Sequence, residues 1–495
     1  MRNHRYILSY GLLIAALAYT LWFVFAGFGN HQDPLYWLYK YETLQGGWMA
    51  TGTLLTGGIF VRLFGARLLV LRLLGWLCVV SAIAIPYCCL LNKEQRRSNL
   101  HWLALTYVFM GYGAFQEFSP GTLSVLLLSL LWVTQSPIVL GLAVAARFPN
   151  ILALLVMVFI WKKRSLWNIP IVALTAGLIY LLGWWLITPA AADAAMNSHN
   201  LLPMLTKYWE NGGKLVGYML LGIGVLAIGR FQISNFKFQI FSAVAAGAAL
   251  VYFAWFTMKP LQWYNIDLTY LISAFILVIS LSRDLEMLIG AIILMIATLG
   301  TDTAWLKLFP AVLCLLPVAA TQYAPQMKRY LFIVLAVLSI VVVTRMTTNS
   351  IGQSNLTRVQ TISTIAPYQG IAIRNIEQSR LEQYLADYDS LQSPITNQQS
   401  PILALGQENH LMRAVTGCEA ARFNEFWSNI YDSVYTAKYR EIIRAEQPIV
   451  FCSFSPQFKT KPEYKDKESR MERMLLEEGY QPIDRSKYRY MIYVK

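Results

Sequence analysis

A series of long apolar runs constrains this chain more than any other feature. The first run, Ile7–Phe28, is long enough to form a helix that crosses a bilayer, which takes about 20 residues. Similar runs of about 15 to 24 residues recur as far as residue 346. Hydrophobic residues make up 56% of the chain, against about 45–50% in soluble domains. The sequence therefore predicts a polytopic α-helical membrane protein.

The basic loops predict how these segments cross the membrane. Placing the basic N-terminus and the cluster Trp161–Ser165 inside puts the loops after residues 28 and 115 outside. Two loops on the same side of the membrane are separated by an even number of crossings. Three segments lie between these two loops, so one of 49–64, 68–91 and 101–115 does not cross. The glycine-rich 49–64 is the simplest choice. About 13 transmembrane helices remain, drawn from segments 7–28, 49–64, 68–91, 101–115, 121–134, 137–147, 149–161, 168–188, 214–229, 238–258, 266–282, 287–300, 303–320 and 330–346.

The first outer loop, residues 29–48, has the sequence GNHQDPLYWLYKYETLQGGW. Tyr and Trp favour the membrane–water boundary, so we expect this loop to lie on the bilayer surface and to hold Asp33 there. An acid at that depth can meet the head group of a lipid-borne substrate. The alternative is that Asp33 ends the first helix and caps the next one. The local sequence leaves both interpretations open.

The chain changes character after residue 346, which divides it into a membrane domain, 1–346, and a polar domain, 347–495. Strands are predicted at Pro401–Leu405, Pro448–Phe454 and Tyr488–Val494, and helices at Ile371–Tyr388 and Arg470–Gly479. This alternation indicates a small extracytoplasmic α/β domain. Two cysteines of this domain, Cys418 and Cys452, are able to pair if it lies outside the cytoplasm.

Charge and motifs exclude several classes of function. The net charge of +14 comes from short basic clusters that flank spans, which does not indicate a nucleic-acid partner. Cysteine and histidine show no zinc spacing. The sequence contains no P-loop, Rossmann glycine motif, HExxH or GxSxG.

Several phrases in a fixed order resemble the GT-C superfamily of integral-membrane glycosyltransferases, in particular the branch of the aminoarabinose and protein-mannosyl transferases. An acid follows span 1 with an aromatic residue three positions later, at Asp33 and Tyr36. The resemblance covers about residues 1–346. The other phrases are LQGGW at 44–48, Leu-Thr-Gly at 55–57, LFG at 63–65, LRLLG at 71–75, GLAVAARFPN at 141–150 and GTDTAWLKLFP at 300–310.

This resemblance implies a catalytic fold and a reaction. In the family, the acid after span 1 acts as a base toward the acceptor on the outer face, and the donor is a sugar on a polyprenyl phosphate. The acceptor is a lipid, a glycan or a protein. It further implies a multi-pass protein of the bacterial inner membrane with a periplasmic C-terminal domain and a role in the cell envelope. Asp33-Pro34 replaces the Asp-Glu that is frequent in the family, so a divalent metal is not indicated and no cofactor is assigned.

Transfer from a lipid phosphate needs a base for the acceptor and cations for the leaving phosphate. Asp33 is the predicted general base, and Glu117, on the same face, is the second candidate acid, although it also suits a residue that caps the helix at 121. The loop 189–213 is a candidate lid. Cationic residues at span ends are equally explained as snorkelling side chains or helix-end anchors, and a lone loop histidine is often idle. The candidate substrate-binding residues are His31, Tyr36, Arg147, Lys207, Lys259, Asp302 and Lys307.

A flippase or transporter of lipid-linked sugars, or another non-enzymatic envelope protein, is the alternative function. Transporters usually show repeated halves and charged or broken helices near the bilayer midplane. This sequence shows no internal repeat, and its charges gather at the ends of the apolar segments. An outward cleft in which Asp33 faces Lys307 or Arg147 favours the transferase, whereas a midplane cavity favours transport.

Overall fold

A computed structural model describes the chain over residues 2–27, 32–110, 117–188, 201–231, 266–299, 305, 308–348, 359–395, 402–406, 409–416, 432–453, 472–485 and 490–495. Within these ranges the protein is mostly helical, and the helices before residue 349 are largely apolar. Among the described helices, three are long and apolar enough to cross a membrane: Ile7–Phe25, Leu68–Leu90 and Ser165–Leu186.

The apolar part of the chain forms sixteen described helices, which we number in chain order. They are α1 (Arg2–Phe25), α2 (Gln32–Thr43), α3 (Thr51–Phe64), α4 (Leu68–Leu90), α5 (Lys93–Ser98), α6 (Leu100–Met110), α7 (Pro120–Thr134), α8 (Pro137–Ala146), α9 (Ala153–Trp161), α10 (Ser165–Leu186), α11 (Leu201–Phe231), α12 (Ile266–Leu281), α13 (Leu285–Met295), α14 (Leu308–Leu313), α15 (Leu316–Thr321) and α16 (Pro325–Thr348). Short 3₁₀ turns at Trp48–Ala50, Phe148–Leu152, Lys162–Arg164 and Ile296–Thr298 connect some of them.

The helices assemble into a bundle with two distinct ends. We call the end that holds Phe25, Leu68, Pro120 and Ala146 the upper end. There, the Phe118 amide donates to the Leu71 carbonyl at 2.9 Å, and Asn150 donates to the Ser124 hydroxyl at 2.9 Å. These bonds hold the start of α4, the start of α7 and the end of α8 at one level.

The opposite, lower end holds the turns at residues 91–99, 135–136, 161–165, 282–284 and 322–324. Indole nitrogens join them: Trp161 donates to the Gln135 carbonyl at 2.8 Å, and Trp132 donates to the Glu286 carbonyl at 3.2 Å. The Lys328 ammonium donates to the Asn99 side chain at 3.3 Å. These contacts place the turn before α6, the turn before α8 and the start of α13 and α16 together, with α4, α7 and α8 running between the two ends.

Helix α3 begins and ends at the upper end. The Thr53 hydroxyl donates to the Ala146 carbonyl at 2.8 Å, and four residues after α3 the Leu68 amide donates to the Pro367 carbonyl at 3.0 Å. Both acceptors lie above the bundle or at its upper rim. The segment 49–64, the simplest choice for the segment that does not cross, therefore has both ends on the same side of the bundle.

Several described helices are shorter than the roughly 20 residues that a perpendicular span needs. Helices α7, α8 and α9 have 15, 10 and 9 residues, or about 22 Å at most. The predicted single helix 303–320 is two helices, α14 and α15, since Pro317 has no amide proton with which to continue the first of them. The total of about 13 spans stays a prediction, because the predicted segment 238–258 lies outside the described residues.

The start of α11 differs from the prediction. Residues 201–213 were predicted as part of a long loop, and they are instead the first half of a 31-residue helix. Adjacent glycines at 212 and 213 lower helix propensity. Tertiary packing outweighs that preference here, because the Trp305 indole nitrogen donates to the Tyr208 carbonyl at 3.0 Å and Trp305 lies beside Gly212.

The C-terminal segment, residues 359–495, contains two small sheets. Strands β1 (Thr361–Ile362) and β2 (Ala372–Ile373) form an antiparallel hairpin. The second sheet has the order β3-β4-β6-β5, with β3 parallel to β4 and the other pairs antiparallel. Its strands are β3 (Ile402–Gly406), β4 (Ile449–Ser453), β5 (Gln481–Arg485) and β6 (Tyr490–Val494), and the helices are α17 (Asn375–Ile395), α18 (Asn409–Thr416), α19 (Asp432–Glu446) and α20 (472–477).

Three strands and two helices of this segment were predicted near their observed positions. The predicted helix 371–388 begins four residues later, at Asn375, because residues 372–373 pair in β2. Gly479 follows α20 with φ +85°, the left-handed conformation expected after a helix C-terminus. Strands β1, β2 and β5 and helices α18 and α19 were not predicted. Cys452 is buried in β4, whereas Cys418 lies outside the described residues.

The four-stranded sheet is packed on both faces. Side chains alternate along β3 and β4, so that Ile402 and Phe451 face one layer while Leu403 and Val450 face another. The first layer is continuous with the membrane part of the chain, because α2, α3 and α4 contribute to the same buried cluster. The boundary at 346/347 stays a prediction, and the described contacts show one apolar core that crosses it.

Candidate functional site

The predicted base, Asp33, is the second residue of α2. The predicted surface loop is thus largely a helix, which packs on α3 below it and on α18 of the C-terminal segment. An acid in the first turn of a helix is favoured by the helix dipole. The backbone therefore places Asp33 at the start of a helix at the upper end of the bundle, six residues after the end of the described part of the first span at Gly27.

The second candidate acid, Glu117, is buried in an ion pair with Arg72 of α4. The Arg72 Nε atom lies 3.3 Å from Glu117 Oε1, and the two side chains are 4% and 8% exposed. The Arg72 Nη1 atom also donates to the Gly27 carbonyl at 2.9 Å. One guanidinium therefore binds both the end of α1 and the loop before α7. Removing one partner of such a buried pair costs about 3–5 kcal/mol, because the other charge stays buried.

Local sequence explains why Glu117 approaches α4 so closely. A Cβ atom at Gly75 would lie 2.8 Å from the Glu117 carbonyl carbon and from the Phe118 amide nitrogen, so only glycine leaves room for this backbone. Helix α7 is capped by Ser119, whose hydroxyl accepts from the Thr122 amide. The alternative role of Glu117 as the cap of this helix is therefore wrong, and its carboxylate faces Arg72 instead.

Tyr36, a predicted substrate-binding residue, is buried between α2 and α18. Its ring lies 5.4 Å from the His410 ring, and the Lys40 ammonium lies 4.2 Å from the Tyr36 ring centroid. Lys40 is 4% exposed and also lies over the Trp37 ring. Tyr36 thus takes part in a cation–π contact at the junction with the C-terminal segment.

His410 is a buried histidine in a positive environment. Burial, and then the nearby charges of Arg413 and Lys40, lower the pKa of its imidazole to about 3. Arg413 itself lies over the Tyr39 ring of α2. The face of α2 that carries Tyr36, Tyr39 and Lys40 is therefore covered by basic side chains of α18.

Arg147 lies at the upper end of α8, where its side chain is 8% exposed. Its Nη1 atom donates to the Ala297 carbonyl at 2.6 Å. That carbonyl belongs to the Ile296–Thr298 turn, whose last residue, Thr298, accepts from the Tyr208 hydroxyl. A guanidinium has five N–H donors, and no ion pair joins Arg147 to a carboxylate within the described ranges.

Tryptophans give the depth of Arg147 in the membrane. On the lipid-exposed helix α10, Trp167 is 79% exposed and Trp184 is 88% exposed. The 17 residues between them rise about 26 Å, close to the hydrocarbon thickness of a bilayer. The Trp48 ring lies 4.8 Å from Phe148 and 6.3 Å from Tyr180, one turn below Trp184. Arg147 therefore lies at the level of the upper ring of exposed tryptophans, where lipid head groups are found.

The remaining predicted residues fall largely outside the described part of the chain. His31, Lys259, Asp302 and Lys307 are not among the described residues, and neither are residues 189–200 of the predicted lid. Lys207 belongs to α11, one residue before Tyr208, and only its backbone is described. Trp305, between Asp302 and Lys307, packs edge-on against Tyr208 with ring centroids 5.4 Å apart. Three or more His, Cys, Asp or Glu side chains do not cluster in metal-binding geometry within the described ranges.

Arg72 was not predicted as a site residue. It lies in the phrase LRLLG, which the sequence comparison used only as a marker of the superfamily. One signal was available: Arg72 interrupts an apolar helix, where a charge is costly without a partner. Gly75, one turn later, marks the same face of α4.

Comparisons with known proteins give structural likenesses but no match by sequence. No family model matches the sequence, and a search of curated proteins gives no match. Among solved structures, the chain is similar to the crystal structure of ArnT from Cupriavidus metallidurans bound to undecaprenyl phosphate. The alignment covers 98% of this chain and 97% of ArnT, with a TM-score of 0.40 and 10% sequence identity.

Proposed function

We propose that this protein is a membrane glycosyltransferase that moves a sugar from a polyprenyl-phosphate-linked donor to an acceptor hydroxyl or phosphate on a lipid, glycan or protein. The observation that carries the proposal is the convergence of two candidate acids and two buried guanidinium groups at one end of an apolar bundle. Asp33 lies in the first turn of α2, Glu117 precedes α7, and Arg72 and Arg147 lie at the same end.

Asp33 suits the general base. Transfer requires an acid that can take the acceptor proton at the membrane surface. The Glu117 carboxylate is already paired with Arg72, so it is less available to take the acceptor proton. We therefore assign proton transfer to Asp33 and a supporting electrostatic role to Glu117.

Arg147 suits the donor phosphate. A buried guanidinium that donates to one carbonyl retains N–H groups for a further acceptor, and planar guanidinium groups bind phosphate bidentately. The level of Arg147 beside the exposed tryptophans is that of a lipid head group. A polyprenyl chain in the surrounding bilayer can therefore present its phosphate to this residue without leaving the membrane.

Charge asymmetry supports an orientation in which the upper end is outside. The lower end carries the basic groups of Lys93, Arg96, Lys162, Arg283 and Lys328, at turns between apolar helices. Short loops rich in Lys and Arg face the cytoplasm. We infer a multi-pass bacterial inner-membrane protein whose C-terminal segment, 347–495, is a periplasmic α/β domain.

The proposal is tested in cells by mass spectrometry of envelope lipids and glycans. We expect a glycosylated species that is present with the wild type and lost with Asp33→Asn and Arg147→Gln. The matched controls are Glu42→Gln, an exposed acid on the same helix as Asp33, and Arg164→Gln, an exposed arginine at the lower end. Both controls should retain the species.

Two results would contradict the proposal. One is an unchanged glycan and lipid profile on removal of the gene. The other is full product in cells that carry Asp33→Asn at wild-type protein levels. If cells without the gene accumulated lipid-linked sugar on the cytoplasmic side of the membrane, and the purified protein released no polyprenyl phosphate, the flippase alternative would replace the transferase.

A further inference from the structure

The peptide of Gly27 is a junction between the membrane helices and the C-terminal segment. Its amide donates to the Ala372 carbonyl of β2 at 2.8 Å, and its carbonyl accepts from Arg72 Nη1 at 2.9 Å. Gly27 has φ +96°, a backbone conformation that favours glycine. The backbone just after α1, six residues before Asp33, is thus fixed from both sides.

The same guanidinium extends this connection to the second acid. Arg72 Nε lies 3.3 Å from Glu117 Oε1, and the following residue, Phe118, donates its amide to the Leu71 carbonyl at 2.9 Å. The Tyr41 hydroxyl of α2 donates to the Phe118 carbonyl at 3.1 Å. Hydrogen bonds therefore link β2, the residues just after α1, α4, the Glu117 loop and α2. Arg72 is the residue that binds both Gly27 and Glu117.

Burial makes this connection rigid. Arg72 is 3% exposed, Glu117 is 8% exposed and Tyr41 is fully buried. A charged pair out of water holds its geometry, because either group left alone would lack the hydrogen bonds that replace hydration. The Leu68 amide, one turn before Arg72, donates to the Pro367 carbonyl at 3.0 Å, so the C-terminal segment also fixes the start of α4.

We propose that Arg72 is a positioning residue that sets Glu117 and the Asp33-bearing end of α2 relative to each other, and that strand β2 of the C-terminal segment holds this arrangement through Gly27. The inference rests on the proposed transferase function. In this arrangement Arg72 does not touch substrate; it acts through the two acids. The C-terminal segment is then part of the site architecture as well as a cover for it.

Arg72→Lys tests the inference in full-length protein in nanodiscs. Lysine keeps the charge but cannot reach Gly27 and Glu117 with the same planar group. With membrane lipid extract as the source of donor and acceptor, we expect turnover at saturating extract to fall about 30-fold or more, while the half-saturating amount of extract stays within about twofold of the wild type. Arg62→Lys, an exposed arginine of α3, is the control and should change neither value.

Hydrogen exchange gives a readout that does not depend on transfer. The amide of Gly27 should exchange faster in Arg72→Lys than in the wild type, while amides in the lower half of α4 exchange equally in both. Wild-type turnover in Arg72→Lys, or a change confined to the half-saturating amount of extract, would overturn the positioning role.

A double-mutant cycle separates this inference from the proposed function. Arg72→Lys and Glu117→Gln should shift the midpoint of thermal unfolding non-additively, since they remove the same interaction. Additive shifts would overturn the inference even if the protein is a transferase. If the wild type transfers nothing but the shifts are non-additive, the proposed function fails and the structural connection stands. If Arg72→Lys and Glu117→Gln both fail to yield monodisperse protein, Arg72 serves folding in general and the inference is contradicted.

Discussion

At the scale of single residues, the junction between α2 and α18 places basic groups where water is excluded. Lys40 and His410 are each 4% exposed, and Arg413 lies over the ring of Tyr39. Aromatic faces replace part of the lost hydration of the Lys40 ammonium. A second positive charge on His410 is disfavoured, since burial and the charges of Arg413 and Lys40 lower the pKa of its imidazole to about 3. The junction therefore requires a neutral histidine.

This requirement predicts an acid-sensitive junction. In the unfolded chain the pKa of His410 is near 6.5, so the unfolded state binds a proton first and stability falls as the pH drops from 6.5 toward 3. At pH 5 the loss is about 2 kcal/mol, because each pH unit corresponds to about 1.4 kcal/mol. The midpoint of thermal unfolding at pH 7 and pH 5 should fall more in the wild type than in His410→Phe, which keeps the ring contact with Tyr36 and does not titrate. Equal falls would contradict this assignment.

Single residues were predicted unevenly. Asp33 and Glu117 stood out because acids beside apolar runs are rare, and the structure places their backbones at the same end of the bundle. Arg72 and Lys40 were not recognised as site residues. Arg72 binds Gly27 and Glu117, each 45 residues away in the chain, and the spacing that a sequence shows carries no information on such contacts. Lys40 contacts the rings of Tyr36 and Trp37 on its own helix, but its nearness to His410 of the distant helix α18 was not predictable.

At the scale of elements, glycine positions decide which helices touch. A Cβ at Gly57 of α3 would lie 2.4 Å from the Tyr41 ring, and one at Gly141 of α8 would lie 2.6 Å from Thr175 of α10. Both glycines belong to phrases that carry the superfamily resemblance. These phrases therefore mark two close helix contacts, one between α3 and α2 and one between α8 and α10. The sequence predicted the apolar helices well. It did not predict the shortness of helices such as α8 or the break between α14 and α15, because these depend on packing partners and on prolines.

Gly75→Ala tests the approach of helix α4 to the backbone of Glu117 and Phe118. Its added methyl group must displace the backbone of Glu117 and Phe118, which we expect to cost about 1–3 kcal/mol and to lower transfer activity. The matched control is Gly177→Ala in the lipid-exposed helix α10, where no described atom outside the local backbone of that helix lies within 4 Å of the added group. The control should be neutral or raise stability by up to about 1 kcal/mol, the difference in helix propensity.

Thermal unfolding and turnover of both variants in detergent check this prediction. Equal unfolding midpoints for Gly75→Ala and Gly177→Ala would show that the 117–118 backbone moves freely. That result would show that the close approach is not the reason why glycine occupies position 75.

At the scale of the whole molecule, one buried apolar cluster joins α2, α3 and α4 to α17, α18 and the four-stranded sheet. The sequence indicated two regions by their composition, and each region has the predicted kind of secondary structure. Composition indicates whether a stretch of the chain faces solvent or lipid, but not which distant segments contact each other. This common core was therefore not predictable from the sequence. Through this cluster the C-terminal segment packs on the acid-bearing end of the bundle.

Transfer from a lipid phosphate with Asp33 as base is measured most directly as the release of free polyprenyl phosphate by purified full-length protein in nanodiscs. The nanodiscs contain membrane lipid extract that carries the lipid-linked sugar. We expect release by the wild type and by Glu42→Gln, and a loss of at least about 100-fold with Asp33→Asn, since general base catalysis contributes about 10²–10⁴-fold. Release by Asp33→Asn at the wild-type rate would show that Asp33 is not the base.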